Sequence, residues 1–202
     1  MIRLRYYGAV ASVGLALVLA GCSSPNPVLY TIAPVSAPGS GTAASAGQTG
    51  SSMVVVLQPI GLARYLERQQ IVLSSENYRL DVSTNDWWGE PLGAMLSRVL
   101  VEELGQRLPN STVLNESGAV TSAADATLAL NITRLDLDAT GDVILAAQAS
   151  VSPKGQGAPV LQSFRFSVHP PSPDVHGEVA AISTALGQLA DKLAPLILSA
   201  AK

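Results

Sequence analysis

One side chain in this sequence stands in a context that indicates covalent chemistry. Cys22 is the only cysteine of the 202-residue chain, and it follows an apolar residue and two small ones, Leu19, Ala20 and Gly21. Small side chains let an extended backbone enter a peptidase cleft, and a thiol can accept a lipid group. A disulfide within the chain is excluded, as is a zinc site built from several cysteines. The spacing therefore predicts cleavage between Gly21 and Cys22 and lipidation of Cys22.

The residues before Cys22 predict the export signal that such processing needs. Two arginines in the first five residues precede an almost entirely apolar run over residues 6–20. This run is shorter than the roughly 20 residues that a membrane-spanning helix requires. Residues 19–22 match the lipobox, so the chain resembles bacterial lipoproteins, which implies acylation of the sulfur and of the new amino group of Cys22. In bacterial lipoproteins, Asp after the acylated cysteine retains the protein in the inner membrane. Ser23 stands in that position here, which favours the periplasmic face of the outer membrane.

Composition and motif content argue against nucleic-acid binding, catalysis and metal binding. The net charge is -3 and the isoelectric point about 5.3, whereas a nucleic-acid-binding domain is basic. The chain has two histidines and lacks the G-x-S-x-G, P-loop and H-E-x-x-H motifs. Three aspartates near one another, which lack EF-hand spacing, predict a solvated hairpin: Asp136, Asp138 and Asp142. We therefore expect no catalytic residue, no cofactor and no metal site.

The segment after Cys22 is predicted to be a flexible tether over residues 22–52. Residues 33–52 carry no charge and almost no large apolar side chain, so they cannot offset their ordering entropy. A random coil from Cys22 to Val54 has an end-to-end distance of roughly 30 Å. The folded body is therefore expected to stay near its membrane. A short β-type run at residues 28–32 leaves open whether that part joins the fold.

The remaining residues, 53–202, are predicted to form one folded domain of the α+β class. Apolar spacing of three and four residues predicts helices over residues 90–108 and from Ser172 or Asp174 to about residue 194, where Pro195 should kink or end the helix. Alternating or β-branched runs predict strands at residues 53–57, 71–73, 78–82, 112–114, 126–137, 143–151 and 164–168. A parity change predicts a bulge near residues 133–134. Short turns between the last three strands predict a meander, hence a largely antiparallel sheet with both amphipathic helices on one face.

Two motifs carry a resemblance to a known family. Residues 60–72 read IGLARYLERQQIV, and residues 86–92 read DWWGEPL. Together with the lipobox and the final amphipathic helix, they resemble the PqiC-type (YmbA-type) ABC-transport auxiliary lipoproteins. The resemblance implies an outer-membrane lipoprotein that docks with an MCE-domain periplasmic protein of an intermembrane lipid transport system and supports envelope integrity. It also implies that residues 53–202 form the auxiliary domain, without catalysis of its own and compatible with a homo-oligomer.

Within these motifs, four residues are candidates for partner binding: Tyr65, Arg68, Trp87 and Trp88. The two tryptophans are expected at the entrance of the first helix, where neighbours lie about 100° apart. One would then anchor the core while the other covers a loop or contacts a partner. Arg68 would either bind a partner or lipid head groups, or form a salt bridge to Glu90 or Asp86 within the domain.

Two other functions remain open on the sequence alone. One is an outer-membrane assembly or secretion-channel accessory lipoprotein, which a β-barrel partner would indicate. The other is an envelope hydrolase, against which the scarcity of histidine and the missing motifs argue.

Overall fold

The computed structural model describes residues 26–37, 53–119, 122–155 and 157–200. Within these residues the chain forms nine strands and two α-helices, with a 3-10 turn at Arg64–Leu66. In chain order they are β1 Val28–Tyr30, β2 Met53–Leu57, β3 Gly61–Leu62, β4 Gln70–Ser74, β5 Asp81–Trp88, α1 Leu92–Arg107, β6 Ser111–Asn115, β7 Ala126–Leu137, β8 Val143–Pro153, β9 Val160–Val168 and α2 Val175–Ala200. The predicted signal peptide, Cys22 and residues 38–52 lie outside the described residues.

The α+β class is confirmed, and the sheet is mixed: long antiparallel pairings are joined by shorter parallel ones. Its strands run in the order β1-β5-β4-β7-β2-β6, and β8 and β9 follow on from β7. The meander of β7, β8 and β9 is antiparallel as predicted, with the register shift between Ile132 and Arg134. However, β1 pairs parallel with β5, and β2 pairs parallel with both β6 and β7. These parallel pairs join strands that are far apart in the chain.

The hydrophobic core lies between the sheet and the two helices. All six apolar residues of the predicted stripe on α1 are buried: Leu92, Met95, Leu96, Val99, Leu100 and Leu104. The predicted apolar stripe of α2 is also buried, except for Val175, which is half-buried. This helix does not end at Ala194, because it continues through Pro195 to Ala200. Ile197 is fully buried, so packing beyond the proline offsets the lost backbone hydrogen bond. None of the described helices is long and apolar enough to cross a membrane.

The segment around β1 belongs to the folded body. After β1 the chain lies against both helices, where the backbone N–H of Ile32 meets Met95 Sδ at 3.1 Å and that of Ala33 meets Ser183 Oγ at 3.3 Å. The N–H of Val35 donates to Glu103 Oε1 at 2.8 Å. Glu103 is fully buried, and this burial raises its pKa to about 7, although the Val35 N–H and Arg107 lower it.

The predicted strand at residues 78–82 is wrong in position. Asn77 and Tyr78 have φ angles of 55° and 61°, which place a turn there, and the strand begins only at Asp81. The alternation of Tyr78 with later apolar residues imitated one face of a strand, yet the Tyr78 side chain is fully exposed. As a result Trp87 and Trp88 end strand β5 instead of opening helix α1.

Two helical glycines should respond to alanine in opposite directions. A Cβ on Gly177 would overlap the backbone carbonyl of Ser172, whereas a Cβ on Gly105 meets nothing within 4 Å. We expect Gly177→Ala to lower the free energy of unfolding by about 1–3 kcal/mol, the usual cost of overpacking. Gly105→Ala should raise it by about 0.5–1 kcal/mol, because alanine loses less backbone entropy in a helix. Urea unfolding of both variants checks this, and a stabilised Gly177→Ala protein would contradict the packing.

Candidate functional site

The two family-like motifs meet in one groove of about 490 Å³. One side is formed by the chain just before β4, and the other by the chain from the end of β5 into the first turn of α1. The residues that line the groove are Ile60, Leu62, Glu67, Arg68, Gln69, Trp88, Gly89, Glu90, Pro91, Leu92, Gly93 and Ala94. The groove therefore has an apolar floor and a rim of polar and charged side chains.

Pairing of β4 with β5 brings the two motifs together. The strands are antiparallel, with Gln70 opposite Trp87, so residues that precede β4 lie beside residues that follow β5. The N–H of Trp88 donates to the carbonyl of Gln69 at 2.7 Å, and the N–H of Gly89 donates to the carbonyl of Tyr30 at 2.8 Å. β1 thus fixes the end of β5 from its other side.

The two tryptophans have different surroundings. Trp88 is 6% exposed and forms one wall of the groove as part of the core. Trp87 is half-buried, and its Nε1 is buried without a hydrogen-bond partner among the described residues. The expectation that neighbouring tryptophans cannot share a face holds, but its reason is the alternation of side chains along a strand.

Arg68 lies exposed at the rim of the groove. Its Nε donates to the carbonyl of Tyr65 at 2.9 Å. The salt bridge to Glu90 or Asp86 considered from the sequence is absent, because Glu90 pairs with Arg98 at 2.7 Å and Asp86 accepts the hydroxyl of Ser83. No ion pair to Arg68 forms within the part of the chain that the structure describes, which leaves most of its N–H donors in solvent.

Tyr65 uses its hydroxyl inside the domain. The Tyr65 OH donates to Asp136 Oδ2 at 2.9 Å, which ties the 3-10 turn to strand β7. Burial, together with the negative charge of Asp136, raises the pKa of Tyr65 to about 12. The phenol therefore stays protonated and keeps donating at all physiological pH values.

Asp136 stands at the centre of a network that sequence reasoning missed. The residue is fully buried, and its Oδ1 accepts from Arg134 Nε at 2.8 Å, while Arg134 Nη2 reaches Glu76 Oε1 at 2.6 Å. The predicted solvated hairpin of three aspartates is therefore wrong for Asp136. It is correct for Asp138, which accepts N–H bonds within the exposed turn. The available signal was the opposite charges of Arg134 and Asp136 at alternate positions of one strand, which place both side chains on the same side of it.

The described residues contain no group of three or more His, Cys, Asp or Glu side chains that could hold a metal ion. What the groove offers instead is a hydrophobic surface beside charged groups that have spare hydrogen-bonding capacity. Such a surface suits non-covalent binding of a polypeptide.

Comparison with solved structures defines the fold class. The chain matches a crystal structure of an uncharacterized protein at 16% identity and a TM-score of 0.69, over 86% of this chain and 99% of that one. It matches a Xanthomonas campestris protein of the DUF330 family at 17% identity and a TM-score of 0.63, over 82% and 92% of the two chains. A PelC dodecamer from Paraburkholderia phytofirmans follows at 11% identity and a TM-score of 0.43, over 74% and 94%. No curated protein matches the sequence.

The family model of the ABC-type transport auxiliary lipoprotein component matches residues 30–194. The chain therefore belongs to this family, and the resemblance inferred from the two motifs is confirmed. The matched region includes both motifs, the last residue of β1 (Tyr30) and most of α2.

Proposed function

We propose that this protein is an outer-membrane lipoprotein, acylated at Cys22, that acts as a non-enzymatic docking component of an MCE-type intermembrane lipid transport system. Membership of the auxiliary lipoprotein family supports a role beside a transporter. The lipobox and the PqiC-like motifs at residues 60–72 and 86–92 support the membrane and the kind of partner.

The observation that most directly supports the docking role is that both motifs line one groove. Ile60, Leu62 and Leu92 give it apolar surface, and the buried Trp88 fixes its wall. Aromatic residues in well-packed pockets are frequent centres of binding energy. The proposed occupant is a polypeptide segment of the periplasmic MCE protein that presents apolar side chains to this floor.

Arg68 is the side chain best placed to select that segment. Its guanidinium has five N–H donors, and the structure shows one hydrogen bond, from Nε to the carbonyl of Tyr65. A carboxylate on the partner would complete a charge-assisted pair at the rim. Glu90 is already paired with Arg98, so Glu67 is the carboxylate of the groove that the partner's carboxylate must avoid.

Reversing the charge of Arg68 should weaken this docking. We expect Arg68→Glu to reduce recovery of the MCE protein by about tenfold, the factor that corresponds to 1.4 kcal/mol of binding free energy. The measurement is crosslinking of the tagged, lipidated protein in its native envelope, followed by mass spectrometry of the partners. Arg64→Glu is the matched control, because Arg64 is exposed four residues before Arg68, at the start of the 3-10 turn, but does not line the groove.

A Cys22→Ala sample tests the anchor in the same experiment, and it should recover less of the partner. Equal loss in the Arg64 and Arg68 variants would remove the groove from the interface. Recovery of a β-barrel protein alone would favour the assembly or secretion-channel role instead. Trp88 is not a useful test position because its burial makes any loss of binding inseparable from loss of folding.

A further inference from the structure

Two exposed apolar side chains lie in the turn at the end of β5 opposite the groove. The turn between β4 and β5 carries the fully exposed Tyr78 and Leu80, which is 36% exposed. Val28 and Leu29 on edge strand β1 are also exposed, but they lie opposite Asp86 and Trp87, at the other end of β5. Nothing within the described residues covers Tyr78, so the tip of this turn presents an aromatic side chain that is available to an apolar partner.

The turn at residues 75–80 is built to hold Tyr78 outward. Glu76 at its base is tied to Arg134 at 2.6 Å, and the N–H of Arg79 donates to the carbonyl of Glu76 at 3.1 Å. Tyr78 has a φ angle of 61°, a conformation that is unfavourable for a bulky residue. Turns tolerate such residues when the surrounding structure imposes them, often at functional positions.

The direction in which the chain enters β1 favours this same end for the proposed lipid. β1 runs parallel to β5, so at residues 26–27 the chain enters β1 from the side where β5 starts. Asn26 confirms the direction, because its carbonyl accepts the side-chain amide of Asn85 at 3.3 Å. From Asn85 to Asp81 the strand covers about 13 Å, and the four residues from Asn26 back to Cys22 span at most about 14 Å.

We propose that the turn at residues 75–80 contacts the head-group region of the bilayer that holds the lipid on Cys22. This inference rests on the acylation in the proposed function. A short covalent tether brings the turn to bilayer level, where tyrosine is a favoured interfacial side chain. Leu80 adds apolar surface. Arg79 pairs with Asp81 at 2.6 Å but stays 79% exposed, so its guanidinium can also meet lipid phosphate.

Neighbouring charges limit this contact to the head groups. Ser74 pairs with Leu137, so the turn at residues 138–142 lies at the same end of the sheet. It contains Asp138 and Asp142, and Asp142 pairs with the exposed His169 at 2.8 Å. The free energy of moving a charged carboxylate into the hydrocarbon core of a bilayer is strongly unfavourable. The molecule would therefore rest on the bilayer without penetrating its core.

The same geometry orients the candidate groove. Trp88 lies at the far end of β5 from Asp81, about 23 Å away along the strand. With the turn at residues 75–80 on the bilayer, the groove opens away from that bilayer, toward a partner that approaches through the periplasm.

A single fluorescent label measures this contact. Acylation blocks the thiol of Cys22, so an introduced cysteine is the only reactive one in the lipidated protein. We would label Arg79→Cys in the turn and, as the matched control, Gln162→Cys on β9, which is also exposed. Gln162 pairs with Ala149, which is opposite Leu130, so the control lies about 23 Å from the Leu137 end of the sheet.

Both proteins are reconstituted in vesicles of phosphatidylethanolamine and phosphatidylglycerol that contain a head-group-level lipid quencher, without any MCE protein. We expect several-fold stronger quenching at position 79 than at position 162, and loss of that difference in a Tyr78→Ser, Leu80→Ser background. Vesicle flotation and the mass of the N-terminal peptide report the anchor independently.

Each outcome decides the proposal. Flotation with equal quenching at both positions overturns the membrane contact while acylation stands. Absence of acyl groups on Cys22 overturns the contact and the anchoring part of the proposed function together. A label at position 79 that responds only to added MCE protein makes the turn a protein contact and overturns the proposal. Failure of Arg68 to affect docking has no bearing on these vesicles.

Discussion

Replacing Asp136 with alanine should lower the free energy of unfolding by about 3–5 kcal/mol, the usual cost of breaking one partner out of a buried ion pair. Asp136 is fully buried and accepts from both Tyr65 and Arg134. Without it, the Tyr65 hydroxyl loses its acceptor, and Arg134 keeps only Glu76 and the carbonyl of Leu137. Urea unfolding at neutral pH is the measurement.

The control for this variant is an aspartate in an exposed ion pair. Asp81 pairs with Arg79 at 2.6 Å, and its side chain is 45% exposed. Exposed pairs typically contribute less than about 1 kcal/mol, so Asp81→Ala should change stability little. Similar losses in the two variants would mean that the Asp136 carboxylate is not held by a buried network.

The same network separates a folding role of Tyr65 from a binding role. Tyr65→Phe leaves a buried acceptor on Asp136 without its donor, which costs about 1–3 kcal/mol. If Tyr65 serves the fold, this variant is less stable but still recovers the partner in crosslinking as well as the unaltered protein. If Tyr65 binds the partner through its hydroxyl, recovery falls more than stability explains.

The parts of the fold that the sequence predicts are those with local periodic signals. Helix α1 follows from a stripe of leucines at spacings of three and four residues, and the β7–β8–β9 meander follows from alternation and short turns. The parallel pairings of β1 with β5 and of β2 with β6 and β7 carry no local signal. They depend on contacts between distant segments, so a three-residue strand such as β1 is recognisable only in the folded sheet.

The same distinction between local signals and long-range contacts applies to the candidate site. The motif residues Arg68 and Trp88 are identifiable in the sequence, but their meeting in one groove depends on the register of β4 and β5. Tyr65 comes from the same motif and turns inward to Asp136. Asp136 was assigned to a solvated hairpin because it lies close in sequence to Asp138 and Asp142. Both faces of the end of β7 are covered, since Leu135 and Asp136 are each buried, and alternation alone does not reveal this.

The second large effect is a loss of stability with rising pH that depends on Glu178 in the first turn of α2. Glu178 is 2% exposed, and its Oε1 is buried with no hydrogen-bond partner among the described residues. Burial, together with the negative charges of Asp136 and Asp86, raises its pKa from 4.5 to about 8. The folded protein thus holds this proton up to about pH 8, while the unfolded chain releases it near pH 4.5.

The sign of the effect follows from proton linkage. Because the folded-state pKa is raised, the stabilising contribution is complete below pH 4.5 and is lost as the pH rises through about 8. At about 1.36 kcal/mol for each unit of pKa shift, the loss is of order 5 kcal/mol. Glu178→Gln stays neutral at every pH, so it should match the unaltered protein near pH 4.5 and exceed its stability near pH 8. Urea unfolding across this range is the measurement.

Two comparisons isolate the carboxyl of Glu178. Glu103, whose pKa is raised to about 7, contributes over a lower window, so Glu103→Gln should leave the slope between pH 7 and 8 intact. The carboxyls of Asp125, Asp138 and Asp174 have lowered pKa values, so their contributions are lost only as the pH falls through acidic values. An unchanged profile in Glu178→Gln would mean that the carboxyl is already ionised in the folded protein.

Combining the two large effects tests whether they share one cause. Asp136 is the first of the charges that raise the pKa of Glu178, so removing it should let Glu178 ionise at lower pH. The slope of stability against pH in Asp136→Ala should therefore be shallower than in the unaltered protein, even though the variant is less stable overall. In the double variant with Glu178→Gln, the effects of the two substitutions on the free energy of unfolding should fail to add near pH 8 and should add below pH 4.5, where Glu178 is protonated in both states. Additivity at both pH values would show that burial alone, without Asp136, keeps Glu178 neutral.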